Sequence, residues 1–133
     1  VSGNAGLFST THDLAVIFQM LLDRGICGDR RYLSRATCDL FMGMKAKNSR
    51  RGLGFDKPDI ESDDNSPCAP EAPASVFGHT GFTGTCVWID PDNELVFIFL
   101  SNRTYPVAFG HDNLMKLDIR SRIQQAMYQS IMY

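Results

Sequence analysis

The sequence lacks a strong excess of charge, a long hydrophobic run and a metal-binding spacing of cysteines. It holds 13 Lys and Arg against 15 Asp and Glu, and the resulting formal net charge of −2 offers no attractive surface to nucleic acid or to an anionic membrane. The apolar run at residues 95–100 is far shorter than the roughly 20 residues that a membrane-spanning helix needs. The sequence therefore predicts no nucleic-acid partner and no membrane span.

The four cysteines follow no regular spacing: no pair is separated by two residues, and no histidine stands at ligand spacing from them. Zinc sites need such spacing, so the sequence predicts neither a metal site nor a cofactor. The cysteines are either free thiols or partners in one or two bridges. We favour free and mostly buried thiols, because a chain of 133 residues can build a core without disulfides. They are Cys27, Cys38, Cys68 and Cys86.

The length of 133 residues corresponds to one domain or to part of a larger one. The sequence opens with VSGNAG, which contains neither an initiator methionine nor a basic leader segment. We therefore expect that the chain is a piece of a longer polypeptide.

Three stretches have the apolar periodicity of helices. The first begins with a capping box at residues 10–13 and ends at Gly25, which suits a left-handed C-cap. The second begins with Ser34 as N-cap and extends to about Lys45. Asp118 caps the last helix. The predicted buried stripe of this last helix consists of Ile119, Ile123, Ala126, Met127, Ser130 and Ile131.

Three strands are predicted at residues 75–80, 85–89 and 94–102, joined by the tight turns GFTG and DPDN. Such short turns connect antiparallel neighbours, so the strands form a three-stranded meander. The third strand is apolar on both faces and needs helices on both sides of the sheet. The fold class is therefore α+β, an antiparallel meander packed with helices.

Two segments are interpreted as surface. Residues 57–75 hold four prolines and five acidic residues, which predicts a surface loop that acts as a lid, a binding loop or a disordered insertion. The basic stretch KAKNSRR at residues 45–51 is interpreted as a solvated basic face. Before the loop, GLGFD at residues 52–56 predicts a short extended segment.

His79 stands between glycines at the end of the first strand, in the sequence FGHTGFTG. The structural interpretation is a partly buried histidine near a hairpin whose glycines serve only the bend. The functional interpretation is a strand edge without bulky side chains, where a ligand lies along the backbone. The Gly-rich segment SGNAGLFST and the acidic loop are further surface elements that favour the second interpretation.

Two long segments carry a family resemblance. The segment GNAGLFSTTHDLAVIFQMLLDRG and the segment GHTGFTGTCVWIDPDNELVFIFLSNR resemble, in the right order, serine β-lactamase-like proteins. This superfamily comprises class C β-lactamases, penicillin-binding D-alanyl-D-alanine peptidases and related esterases. The end of the chain resembles in particular the domains attached to family-3 glycoside hydrolases (β-N-acetylglucosaminidase-type) in Bacteroides-like bacteria. The resemblance implies a bacterial parent protein that is exported or periplasmic.

The resemblance also implies a mechanism. The family uses a Ser-x-x-Lys nucleophile, a Tyr-x-Asn element and a Lys-Thr-Gly strand, and the serine forms an acyl-enzyme with an amide or ester substrate. By this likeness His79 takes the place of the motif lysine as a catalytic residue, and the Phe82 N–H is an oxyanion-hole donor. Thr80, Gly81 and Thr83 would bind a small-molecule or peptide substrate. Because histidine is charged only in acidic solution, the departure from lysine disfavours β-lactam hydrolysis and leaves peptidase, esterase or amidase activity open.

Two family elements do not occur within the 133 residues, since no serine has lysine three positions later and no tyrosine has asparagine two positions later. We therefore expect residues 1–133 to be the C-terminal portion of the domain, with an incomplete sheet and without catalytic activity on its own. The rival hypothesis is a non-catalytic accessory or binding module beside a glycosidase. Because two strands would be lacking, we also expect a homodimer through the exposed edge of the third strand.

Other candidate sites favour structural interpretations. Ser101, His111 and Asp112, or a set that includes His12 and Asp13, are the available members of a Ser/His/Asp triad, but none lies in a Gly-x-Ser-x-Gly elbow. The acidic residues in and beside the loop do not have an EF-hand pattern. Trp88 is interpreted as core packing rather than as a carbohydrate platform. The acidic residues are Asp56, Asp59, Glu61, Asp63 and Asp64.

Overall fold

A computed structural model describes residues 5–43, 45–61, 66–107, 110 and 112–131. The predicted α+β class is confirmed. Beside the predicted elements lie a hairpin of two-residue strands and a helix of 4 residues that the sequence did not predict. In chain order the elements are α1 (Thr11–Leu22), β1 (Ile26–Cys27), β2 (Arg30–Arg31), α2 (Arg35–Gly43), β3 (Phe77–Thr80), β4 (Cys86–Asp90), β5 (Leu95–Phe99), α3 (Asn113–Lys116) and α4 (Ile119–Ile131).

The first two helices begin where their N-caps predict. Thr10 Oγ1 accepts a hydrogen bond from the Asp13 N–H at 3.2 Å, and Ser34 Oγ accepts one from the Thr37 N–H at 3.0 Å. These bonds satisfy N–H groups that have no partner within the helix. Gly25 has a φ of +89°, as a left-handed C-cap requires, and its N–H donates to Met20 O at 2.8 Å.

The main sheet is the predicted antiparallel meander in the order β3-β4-β5. Its register pairs His79 with Val87 and Trp88 with Phe97. On the outer side of β3, the Asp56 N–H donates to Gly78 O at 2.7 Å, and the Gly78 N–H donates to Asp56 O at 3.0 Å. The extended segment predicted at residues 52–56 thus lies beside β3, joined to it by this single bridge.

Side chains pack on both faces of the sheet, as the apolar third strand predicted. On one face, Phe77 and Ile89 contact α1 and α2 through Phe18, Leu21, Leu22, Cys38 and Met42. On the other face, Trp88 and Phe97 contact Tyr128 of α4. Trp88 is 1% exposed, so its interpretation as core packing is confirmed. The strands thus form the middle layer between helices.

Part of the loop prediction for residues 57–75 was wrong. Cys68, Ala69 and Ala72 are buried and belong to the core on the α4 face, where they pack with Trp88 and Tyr128. The cysteine prediction is confirmed, since all four cysteines are free and three are buried. Burial raises the pKa of Cys68 above its usual range and that of Cys86 to about 11, so both thiols are protonated near neutral pH.

The predicted buried stripe of α4 was also wrong at most positions, although Met127 is half-buried and packs against the core. The buried residues are Ser121, Gln124 and Tyr128, whereas Ile123 and Ile131 are exposed. The loop before β3 and the end of β4 present polar partners to this helix: Gln124 Oε1 accepts from the Ala69 N–H at 2.9 Å, and the Tyr128 hydroxyl donates to Asp90 at 2.8 Å. Buried polar groups need such partners, and in α4 this requirement, rather than hydrophobic periodicity, determines which residues are buried.

Candidate active site

The β3–β4 turn (residues 81–85) places the candidate residues at one end of the sheet. The Gly81 N–H donates to Thr85 O at 2.7 Å, and the Gly84 N–H donates to Gly81 O at 3.0 Å. Both glycines are needed for the bend: a Cβ on Gly81 would meet Thr85 Oγ1, and Gly84 has a φ of +98°. The structural interpretation of these glycines is therefore correct as far as the bend is concerned.

The outer edge of β3 carries backbone groups that face away from β4. Gly81 and His79 point their N–H groups toward β4, and alternation along the strand turns Gly78 and Thr80 outward. The backbone of Asp56 is hydrogen-bonded to both the N–H and the C=O of Gly78. Among the described residues, the Thr80 N–H has no hydrogen-bond partner. The Thr80 C=O, in contrast, accepts from His79 Nδ1 at 2.6 Å.

The His79 side chain is exposed and held by two hydrogen bonds. A carbonyl oxygen only accepts, so Nδ1 carries the hydrogen that is donated to Thr80 O at 2.6 Å. A guanidinium only donates, so Nε2 accepts from Arg51 Nη1. These two contacts hold the plane of the ring against the strand edge.

A cationic cluster lies beside His79 and surrounds a buried carboxylate. Asp56 is 1% exposed, and Arg50 donates to it through Nε at 2.8 Å and Nη2 at 3.2 Å. Arg51 Nη2 lies 3.6 Å from the same carboxylate. Burial and the charge of Lys45 lower the pKa of Lys57. Arg50 and Arg51 therefore do more than form a solvated basic face, and that interpretation of the stretch was wrong for these two residues.

A cavity of about 710 Å³ opens next to this cluster. Its lining combines three basic side chains with two carboxylates and two small polar residues. The arrangement suits a polar, charged guest rather than an apolar one. The lining residues are Lys45, Asn48, Ser49, Arg50, Arg51, Asp59 and Glu61.

Phe82 and Thr83 lie exposed in the turn, and Phe82 is 71% exposed. No described residue accepts a hydrogen bond from the Phe82 N–H. Arg103 Nε donates to Phe82 O at 2.7 Å, and its guanidinium lies 4.7 Å from the centroid of the Phe82 ring. The sequence did not identify Arg103 or Arg51 as site residues, because 21 and 28 positions separate them from the groups they contact.

The alternative triads find no support. Ser101 Oγ donates to Thr83 O at 3.4 Å, and His12 and Asp13 lie in the first turn of α1. His111 lies outside the described residues, as do Asp63 and Asp64 of the acidic loop. Within the described ranges no group of three His, Cys, Asp or Glu side chains is placed to hold a metal ion. In the same part of the chain, no helix has the length and apolarity to cross a membrane.

Comparisons with known proteins agree on one family. The family model described as Beta-lactamase matches residues 2–119. A protein of Escherichia coli O157:H7 named "Putative D-alanyl-D-alanine carboxypeptidase" is 38% identical over 118 residues, which are 85% of this chain and 26% of that protein. A protein of the same name from Salmonella gallinarum is 38% identical over 113 residues, which are 81% of this chain and 25% of that protein. The chain thus spans about a quarter of the length of these relatives.

A solved structure gives the same result for the fold. The crystal structure of a β-lactamase from Mycobacterium bovis superposes with a TM-score of 0.67 at 22% identity. The match covers 92% of this chain and 44% of the other. The expectation of a β-lactamase-like fold that is present in part is therefore confirmed.

Proposed function

The chain belongs to the β-lactamase family, and from this premise we propose that residues 1–133 are the C-terminal portion of a serine hydrolase domain. They form the wall of its active site that binds the substrate and stabilises the oxyanion. The serine lies on another part of the parent protein, because no Ser-x-x-Lys occurs in these residues. The chain alone is therefore inactive.

One observation carries this proposal: an exposed His79 is fixed beside a strand edge whose Thr80 N–H is open to a ligand. In the reaction, the serine oxygen attacks the substrate carbonyl carbon, and the Phe82 N–H donates to the oxygen that becomes negative. The bond to the leaving amine breaks, and the amine takes up the proton that the serine hydroxyl lost on attack. Water then cleaves the resulting ester, which releases the acid and restores the serine.

A peptide with a free terminal carboxylate is the substrate class we propose. The relatives are named as D-alanyl-D-alanine carboxypeptidases, and a fixed positive charge lies beside the strand edge here. Arg51 contacts His79 directly, and the Thr80 hydroxyl is available on the same strand. A carboxylate at this place gains a charge-assisted hydrogen bond.

The first experiment labels the full-length parent protein with a fluorescent penicillin, which acylates the nucleophile. We expect covalent labelling of the wild type and a rate roughly 100-fold lower for His79→Ala, since the ring holds Arg51 and the strand edge in place, and misplaced binding groups can cost that much. His12→Ala is the matched control, because His12 is exposed in the first turn of α1. It should label at the wild-type rate.

Absence of labelling in the wild type would favour the rival hypothesis of a non-catalytic binding module, attached in the parent to a glycoside hydrolase. Equal labelling of His79→Ala and the wild type would show that the parent acylates without this strand edge. The sequence of the parent gene supplies an independent check, since a Ser-x-x-Lys must lie outside residues 1–133 if the proposal holds.

The second experiment tests the carboxylate preference with paired peptides that end in a free D-alanine carboxylate or in its amide. Arg51→Gln releases the His79 ring for both peptides, but it should lower kcat/KM about fivefold more for the acid than for the amide, because a partly exposed ion pair is worth up to about 1 kcal/mol. Arg122→Gln, at an exposed arginine of α4, is the control. Equal loss for both peptides would contradict carboxylate recognition by Arg51.

A further inference from the structure

Three side chains from later parts of the chain hold the β3–β4 turn. Arg103 Nε donates to Phe82 O at 2.7 Å, and the Arg103 N–H donates to Thr83 O at 2.9 Å. Ser101 Oγ adds a bond to Thr83 O at 3.4 Å. Arg120 Nη1 reaches Gly84 O at 3.5 Å and Thr85 O at 3.4 Å. The four consecutive carbonyl groups of residues 82–85 therefore all accept hydrogen bonds.

These bonds determine where the Phe82 N–H points. The peptide group before Phe82 is fixed because Gly81 O accepts from the Gly84 N–H at 3.0 Å. The peptide group after Phe82 is fixed because Arg103 holds Phe82 O. Peptide groups are planar, so fixing both leaves Phe82 no backbone rotation of its own. The Phe82 N–H lies in the first of these two groups, so the Gly84–Gly81 bond sets its direction, and Arg103 keeps the second group from rotating and drawing the first one out of place.

The contacts of the Arg103 guanidinium are unusual for an arginine. Within the described residues it forms no ion pair with a carboxylate. Instead its charge-assisted bond goes to the Phe82 carbonyl, and its plane lies 4.7 Å from the centroid of the Phe82 ring. Both interactions act on the same residue, and each is stronger for a cation than for a neutral group.

We propose that Arg103 is a positioning residue that holds the Phe82 N–H toward the substrate carbonyl oxygen. The proposal rests on the proposed function, in which that N–H stabilises the oxyanion. A donor displaced by 1 Å loses much of its effect on the transition state while substrate binding is little changed. Loss of Arg103 should therefore lower the rate of acylation rather than the affinity.

The test compares Arg103→Met, Arg103→Lys and the control Arg122→Met in the full-length protein. Methionine keeps the apolar stem but removes the donor and the charge, whereas lysine keeps the charge. For Arg103→Met we expect an acylation rate constant with fluorescent penicillin about tenfold lower, and a dissociation constant for the non-covalent complex within about twofold of wild type. Arg103→Lys should recover part of the rate, and Arg122→Met should match the wild type.

Hydrogen exchange followed by mass spectrometry gives a readout that needs no catalysis. In Arg103→Met we expect faster exchange in peptides that span residues 81–85, where the Gly81 and Gly84 amides are hydrogen-bonded. Unchanged exchange in the turn would overturn the proposal, as would a uniform rise over the whole chain, which would indicate general destabilisation. Failure of the wild type to acylate would overturn the proposed function and with it the catalytic role of the Phe82 N–H, and the exchange result would then show only whether Arg103 holds the turn.

Discussion

At the scale of single residues, a buried carboxylate accounts for the part of the core that periodicity did not predict. Asp90 is 2% exposed and accepts from the Asp92 N–H at 2.9 Å, from Asn93 Nδ2 at 2.7 Å and from the Tyr128 hydroxyl at 2.8 Å. The turn residues around Asp90 were predictable from DPDN. The role of Tyr128 was not, because its partner lies 38 positions away.

Replacing Tyr128 by phenylalanine should destabilise the protein by about 2 kcal/mol, because one bond to a buried charge is lost while the ring is kept. Burial, followed by the bond to Asp90, raises the pKa of Tyr128. Tyr128 therefore contributes its full stabilisation below about pH 10, where the tyrosine of the unfolded chain begins to ionise. At higher pH the difference in free energy of unfolding between the wild type and Tyr128→Phe declines. Urea unfolding at neutral and alkaline pH measures this difference.

The control is Tyr32→Phe, at an exposed tyrosine whose hydroxyl has no hydrogen bond among the described residues. It should change the free energy of unfolding by less than about 0.5 kcal/mol. A loss as large for Tyr32→Phe as for Tyr128→Phe would contradict the assignment of the effect to the Asp90 bond.

At the scale of elements, predictions held where the signal is local. The caps Thr10 and Ser34 located the starts of α1 and α2, and tight turns located the meander. The hairpin of β1 and β2 has strands of two residues, which are too short to show alternation. The buried part of residues 57–75 depends on contacts with the sheet and α4, which composition does not report.

The free edge of β5 leads to a prediction for the isolated chain. Among the described residues only β4 pairs with β5, and the register turns the backbone groups of Val96 and Ile98 outward. We expect residues 1–133 alone to dimerise through this edge, and the full-length protein to cover it with strands of its own. Light scattering at several concentrations should show a dimer for the first and a monomer for the second.

A lysine at the edge separates this explanation from other modes of association. Ile98→Lys should shift the isolated chain toward the monomer, because a charge opposes pairing of another strand. Ile60→Lys, at an exposed residue outside the sheet, should leave the dimer intact. A concentration-independent monomer for the unmodified chain would refute dimerisation.

At the scale of the whole molecule, the sequence predicted the site residues that are consecutive in the chain and missed those that are far apart in it. His79, Thr80, Gly81, Phe82 and Thr83 are consecutive, so a single motif located them together. Arg51 precedes β3 in the chain and contacts His79, whereas Arg103 follows β5 and contacts Phe82. No local pattern links them to the motif, since only folding brings these segments into contact.

The pairing of Asp56 with Gly78 limits what can lie along β3. Thr80 is the next outward-facing position, about 7 Å further along the strand. A bound peptide that pairs with Thr80 and continues toward Gly78 would collide with residues 52–56 within roughly two residues. A long polypeptide would have to break that bridge in order to pass, whereas a chain that terminates there would not. We therefore expect the edge to accept the end of a peptide and to exclude an internal segment.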